Sequence, residues 1–143
     1  MKILSISRTI DGKGGIRASL CWKLAKNLLR KREIQVLWIA GTSKKWDERK
    51  ILNEKNENHY LKINYIQNKQ DIFDFFTFLP KLTMEINKIL NAEKNLNLII
   101  FPKEDTLIAT ALKSVEHKIK IISWGYSEPL EKIIKKIDDE KNE

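Results

Sequence analysis

The chain has 143 residues, enough for one domain with a real core and too few for two ordinary ones. Its formal net charge of +8 favours anionic partners, among them nucleotide phosphates, polyphosphate-linked lipids, a membrane surface or nucleic acid, without choosing between them. No apolar run reaches the roughly 18 residues of a membrane span, no long apolar leader opens the chain, and the single cysteine, Cys21, has no internal disulfide partner; the expectation is a cytoplasmic protein, with peripheral membrane attachment as a variant.

In chain order, Ile3 to Ser7 reads as a buried strand and Asp11-Gly12-Lys13-Gly14-Gly15 as a tight turn. Ile16 to Arg32 reads as an amphipathic helix, because Ile16, Leu20, Leu24 and Leu28 share one stripe with Cys21 and Ala25 beside it. The basic residues Arg30 and Lys31 suit the negative end of that helix's dipole. Ile34 to Ile39 follows as the second strand, with Ala40-Gly41-Thr42-Ser43 as the turn after it. Lys44 to Asn58 is charged and amide-rich, the composition of an exposed loop or short helix. His59 to Ile66 alternates, Leu61, Ile63 and Tyr65 opposite Lys62 and Asn64, as an edge strand with one wet face does.

Ile72 to Pro80 opens a helical region that runs on through Leu82, Ile86, Ile89 and Leu90, with Pro80 beginning or kinking its later part. Its aromatic run Phe73, Phe75, Phe76 and Phe78 is too dense for one core-facing stripe, so core packing and an exposed contact surface share these rings. Leu96 to Phe101 is apolar apart from Asn97, the pattern of a central parallel strand, and Pro102 ends it. Thr106 to Val115 predicts a helix, Ile119 to Trp124 a fifth strand broken by Gly125, and Leu130, Ile133, Ile134 and Ile137 a last amphipathic helix after Pro129. Strands alternating with crossover-length helices predict one doubly wound, Rossmann-like α/β domain over residues 1–137, with five parallel strands in the order 3-2-1-4-5. A charged tail, 138–143, follows. Ligands of such a sheet gather at the carboxyl ends of the strands, which here are Ser7 to Gly15, Phe101 to Thr106 and Trp124 to Glu128.

The glycine turn fits a phosphate or sugar, since backbone N–H groups at a helix start favour negative charge. It does not complete the dinucleotide fingerprint: Gly12 and Gly14 match the first two glycines, but Arg17 stands at the third, and Ala40 and Gly41 replace the acidic residue that would hold a ribose. No Gly-Lys-Ser or Gly-Lys-Thr of a Walker loop occurs. The expected cofactor set is therefore empty, and no metal site is expected.

The strand, the polar loop, Gly14-Gly15-Ile16 and a helix carrying Leu24-Ala25-Lys26-Asn27-Leu28 together resemble the N-terminal half of GT-B glycosyltransferases, especially family 4. Leu96-Asn97-Leu98-Ile99-Ile100-Phe101, a small-residue helix and Ile119 to Gly125 are similar to that family's fourth and fifth strands. The resemblance implies an acceptor-side domain for sugar transfer from a nucleotide sugar, which is a substrate and not a cofactor, with a second Rossmann-like domain holding the donor. It places Gly14 and Gly15 at the cleft, with Arg8 and Lys13 as candidate phosphate neighbours; Gly12, in the same glycine turn, joins the ligand-binding candidates. Where the family often carries a histidine, Trp124 precedes Gly125 here; His59 and His117 fall at the wrong strand ends to replace it. Glu85 and Glu93 have the spacing of the family's donor-side acidic pair but lie in the wrong half, so they are set aside.

The acceptor-side candidates are Glu104, Asp105, Trp124 and Tyr126. Glu104 and Asp105 suit an acceptor hydroxyl or a general base, although residues in this place more often cap the next helix. Lys44, Lys45, Trp46 and Arg49 combine cations with an indole, as a membrane-interface, partner-binding or nucleic-acid surface does, and as a solvated loop also does. Two functional expectations result: an acceptor-side half active only with a donor-domain chain, and a catalytically inert protein- or membrane-binding module. Nucleic-acid binding ranks behind both, because no motif supports it.

Overall fold

Runs of Ile, Leu and Val with small residues between them form a sheet buried on both faces, which helices on each side must cover. The computed structural model describes residues 1–8, 35–43, 54–55, 60–68, 76–125 and 127–141. Its strands are β1 (Lys2–Ser7), β2 (Gln35–Ser43), β3 (Glu54–Lys55), β4 (Tyr60–Asn68), β5 (Leu98–Pro102) and β6 (Lys120–Trp124); its helices are α1 (Phe78–Ala92), α2 (Thr106–Lys113) and α3 (Leu130–Lys141). The sheet order is β3-β4-β2-β1-β5-β6. β3 runs antiparallel to β4, and the other neighbouring pairs are parallel.

The period of two along each strand sorts the core into two layers. Leu4, Ile6, Leu37, Ile39, Ile99 and Phe101 point to one face, where they pack against Phe78, Leu82, Ile86 and Ile89 of α1 and Leu107, Ile108, Ala111 and Leu112 of α2. The buried positions of α1 recur at helical spacing, and each such Leu or Ile removed from water stabilises the fold by roughly 1.5–3 kcal/mol. Ile3, Val36, Trp38, Leu98, Ile100 and Trp124 are buried outside that cluster, as are Ile133, Ile134 and Ile137 of α3. The ion pair of Lys120 with Glu140 ties α3 to the same face of β6 that carries Trp124.

Several elements differ from expectation. Among the described residues the sheet has six strands, because Glu54 and Lys55 pair with Leu61 and Tyr60 where the composition predicts a loop or short helix. β2 does not turn at Ala40 but continues to Ser43, held by register with Tyr65–Asn68 of β4. Backbone pairing over that length outweighs the turn preference of a Gly-Thr-Ser sequence. α1 begins at Phe78, which places Pro80 in the first turn, where a missing N–H breaks no helical bond. α3 runs to Lys141, so the boundary drawn after residue 137 falls inside a helix. The aromatic run divides: Phe78 is fully buried and Phe76 is 89% exposed. Phe73 and Phe75, and the expected helix over 16–32, lie outside the described residues. Among the described residues no helix is long and apolar enough to cross a membrane.

Candidate functional site

β1 and β5 lie side by side and end together, so the residues that follow them, Arg8 and the turn Lys103-Glu104-Asp105, share one rim of the sheet. The turn is closed by the Asp105 N–H, which donates to the Pro102 carbonyl at 3.0 Å. It delivers Asp105 as the N-cap of α2, where Oδ1 accepts the Leu107 and Ile108 N–H groups at 3.1 and 3.2 Å. Two of the orphan donors of the helix are thus satisfied by its own chain.

Arg8 reaches the same carboxylate side-on. Its Nε donates to Oδ2 at 3.0 Å and its Nη2 to Oδ1 at 2.7 Å. Asp105 is 7% exposed, and the Arg8 side chain 39%. The buried carboxylate is compensated by the fork and the two amides together, the condition under which a buried charge is tolerated. Nη1 of Arg8 has no partner among the described residues, so the guanidinium is held at one edge and presents the other toward solvent. Beside it, the buried Ser7 hydroxyl accepts the Trp38 Nε1–H at 2.6 Å, fixing the end of β1.

The third loop at this rim follows β6. The Gly125 N–H donates to Glu128 Oε1 at 3.1 Å, and the Glu128 N–H returns to the Gly125 carbonyl at 3.0 Å. Lys136 of α3 donates to Glu128 Oε2 at 3.1 Å, and Lys103 Nζ lies 4.0 Å from Oε1. The Lys136 hydrogen bond, helped by the Gly125 N–H and the charges of Lys136 and Lys132, holds the Glu128 carboxyl below its ordinary value of 4.5 against the opposing effect of desolvation. The Lys103 N–H donates to the Trp124 carbonyl at 2.8 Å, which draws the β5 and β6 loops together. A Cβ on Gly125 would stand 2.9 Å from Lys103 Cε and 3.2 Å from Glu104 Oε1, so these two side chains close over the glycine.

Among the residues expected at a site, the structure therefore brings Arg8, Glu104 and Asp105 to one rim. Asp105 acts there as the cap and as the seat of Arg8. Trp124 does not line the rim: its side chain is 2% exposed, because strand alternation turns it toward the α3 face with Ile122. Gly12, Lys13, Gly14, Gly15, Tyr126, Lys44, Lys45, Trp46 and Arg49 lie outside the described residues, as does His59. His117 Nδ1 accepts the Ile119 N–H at 3.2 Å before β6 begins, and Glu93 pairs with Lys2 at 2.9 Å at the amino end of β1, so both serve the opposite end of the sheet. Among the described residues no group of three or more metal-binding side chains occurs. Sequence reasoning places Lys103 and Glu128 within the strand-end segments 101–106 and 124–128 but gives neither a role. The signal was available in Gly125-x-x-Glu128 ahead of a proline-started helix, a glutamate placed to reach back to a loop N–H.

No family model, curated protein or solved structure matches this chain in comparison with known proteins.

Proposed function

We propose that the domain is a doubly wound, Rossmann-like fold with its switch point between β1 and β5. In this reading it serves as the acceptor-side half of a glycosyltransferase-like system, moving sugar from a nucleotide-activated donor only together with a separate donor-binding chain. The observation that carries the reading is the Arg8 guanidinium, anchored side-on by Asp105 with its remaining edge exposed at the carboxyl end of β1. A fixed cation at a switch point is placed to meet a phosphate, and charge that is already oriented stabilises a departing diphosphate without reorganisation. Lys103, 57% exposed on the neighbouring turn, adds a second cation, with the exposed Glu104 next to it in sequence.

The test is reconstitution. The full chain is mixed with a donor-domain chain, a nucleotide sugar and a polyprenyl phosphate acceptor, and transfer is expected only in the complete mixture. Arg8→Gln should lower it roughly 100-fold. A tight two-chain complex that transfers nothing would reject the reading.

A second reading, an inert Rossmann-like module that holds a protein or membrane partner, is favoured by one specific observation. Asp105 is consumed by its cap and by Arg8, and Trp124 is buried, so two of the acceptor-side candidates offer no reactive group. Under this reading, charge reversal at Lys44, Lys45 and Arg49 abolishes binding to the partner or to anionic vesicles, while substitution of Gly14 or Gly15 only destabilises the fold. Nucleic-acid binding would show affinity falling steeply with salt.

A further inference from the structure

Among the described residues the two most exposed large apolar side chains belong to one segment: Phe76 is 89% exposed and Met84 73%. Thr77 already has helical backbone angles, so Phe76 stands one turn before the exposed Pro80, and Pro80 stands one turn before Met84. The three form a ridge along the outside of α1, away from the face that Phe78, Leu82, Ile86 and Ile89 bury. Glu93, just past the end of α1, pairs with Lys2 at the amino end of β1. The first turn of α1, with Phe76 ahead of it, therefore lies toward the carboxyl end of the sheet, the end that carries Arg8.

Charge and shape narrow the occupant. Lys81 and Lys88 are exposed and stand three residues before and four after Met84, the spacings of neighbours on a helix surface. Glu85 directly follows Met84 and so points roughly 100° round the helix, and it is partly buried. The ridge thus carries cations at its margin, with the carboxylate turned away from it. Two exposed side chains of this size offer roughly 300–400 Å² between them, whereas a stable protein interface takes about 800 Å² from each partner. A small protruding apolar point beside lysines instead suits a bilayer, where a ring enters among the head groups and lysine stems carry their charge to lipid phosphates. The net charge of +8 acts in the same sense.

We infer that the ridge Phe76, Pro80 and Met84 docks on the surface of an anionic lipid bilayer, with Phe76 and Met84 entering the head-group layer and Lys81 and Lys88 meeting lipid phosphates. This inference rests on neither reading above, since it uses none of the residues of the Arg8 rim and none of Lys44, Lys45 and Arg49.

The experiment sediments the full chain with vesicles of phosphatidylcholine alone and of phosphatidylcholine with about 30% phosphatidylglycerol. Binding to the anionic vesicles is expected to be at least about tenfold tighter than to the neutral ones. Phe76→Ser should weaken it about tenfold and Lys88→Glu about fivefold or more, both at exposed positions where the melting temperature should not move. The chain has two methionines, so isotope-labelled methionine methyls give two signals. Spin-labelled lipid in the anionic vesicles should broaden that of Met84 and leave that of Met1, at the far end of the sheet, sharp. Equal binding to the two kinds of vesicle, undiminished binding by Phe76→Ser, or a Met84 methyl as sharp as that of Met1 would overturn the proposal. Sedimentation of the chain alone as a dimer that Phe76→Ser dissociates would overturn it too, by making a second copy the occupant. Vesicle binding through Phe76 in a reconstituted mixture that transfers no sugar would uphold this inference and reject the glycosyltransferase-like reading, so the two fail separately.

Discussion

Arg8 and Asp105, 97 residues apart, meet side-on across the ends of β1 and β5, and the same carboxylate caps α2. One acidic side chain therefore joins a strand end, a loop and a helix start. Asp105→Ala should destabilise the fold by about 2–3 kcal/mol, the loss of a cap plus the loss of a compensated cation partner. Asp105→Asn, which keeps an oxygen for the two helix amides, should cost less. In a double-mutant cycle with Arg8→Gln the coupling should be about 1 kcal/mol, modest because Arg8 is partly exposed. Denaturant unfolding of the four proteins measures it; strictly additive effects would show that the fork is idle.

Glu128 predicts an acid dependence of stability. Its pKa is lowered in the folded chain, so its contribution is present above the ordinary carboxylate value of 4.5 and is lost as pH falls through the lower folded value. The melting temperature of the wild-type chain should then drop more steeply below about pH 4.5 than that of Glu128→Gln, with the two curves converging at the acid end. Parallel curves over that range would contradict the assignment.

Gly125 makes a different kind of prediction, because the atoms crowding its missing Cβ belong to the flexible end of Lys103 and to Glu104. Gly125→Ala should cost about 1 kcal/mol or less, and pairing it with Lys103→Ala should recover most of that loss. Thermal unfolding of the single and double variants decides; a large cost that Lys103→Ala leaves untouched would place the strain in the backbone instead.

The aromatic run supplies the sharpest contrast in stability. Phe78→Ala removes a fully buried ring from the layer between α1 and the sheet and should cost about 3–5 kcal/mol, whereas Phe76→Ala, two residues earlier and 89% exposed, should fall within about 0.5 kcal/mol of wild type. Chemical denaturation midpoints compare them directly.

What the sequence made legible follows the range of the interactions involved. The apolar run ending at Phe101, the period of α1 and the capping role available to Asp105 are local, and each is visible in a few consecutive residues. The partner of Arg8 is not, since it depends on β1 and β5 becoming neighbours across 97 residues. At Ala40 to Ser43 small polar residues favour a turn locally, while register with β4 decides for a strand from outside the segment. Glu54 and Lys55 have no strand propensity to detect; pairing with Tyr60 and Leu61 alone makes them β3. The place of Trp124 at a strand end suggests the rim, whereas alternation along β6 turns it toward α3.

An amide-shift titration of the isolated full chain with a nucleotide sugar and, separately, a polyprenyl phosphate reads directly whether the Arg8 rim binds phosphate. Saturable shifts are expected at Ser7, Arg8 and Lys103 to Asp105, with at least about tenfold weaker binding in Arg8→Lys, which keeps the charge but not the side-on fork, and no binding in Arg8→Gln. Undisturbed amides at that rim in the presence of both ligands, or equal affinity in Arg8→Gln while the cap of α2 stays formed, would contradict it.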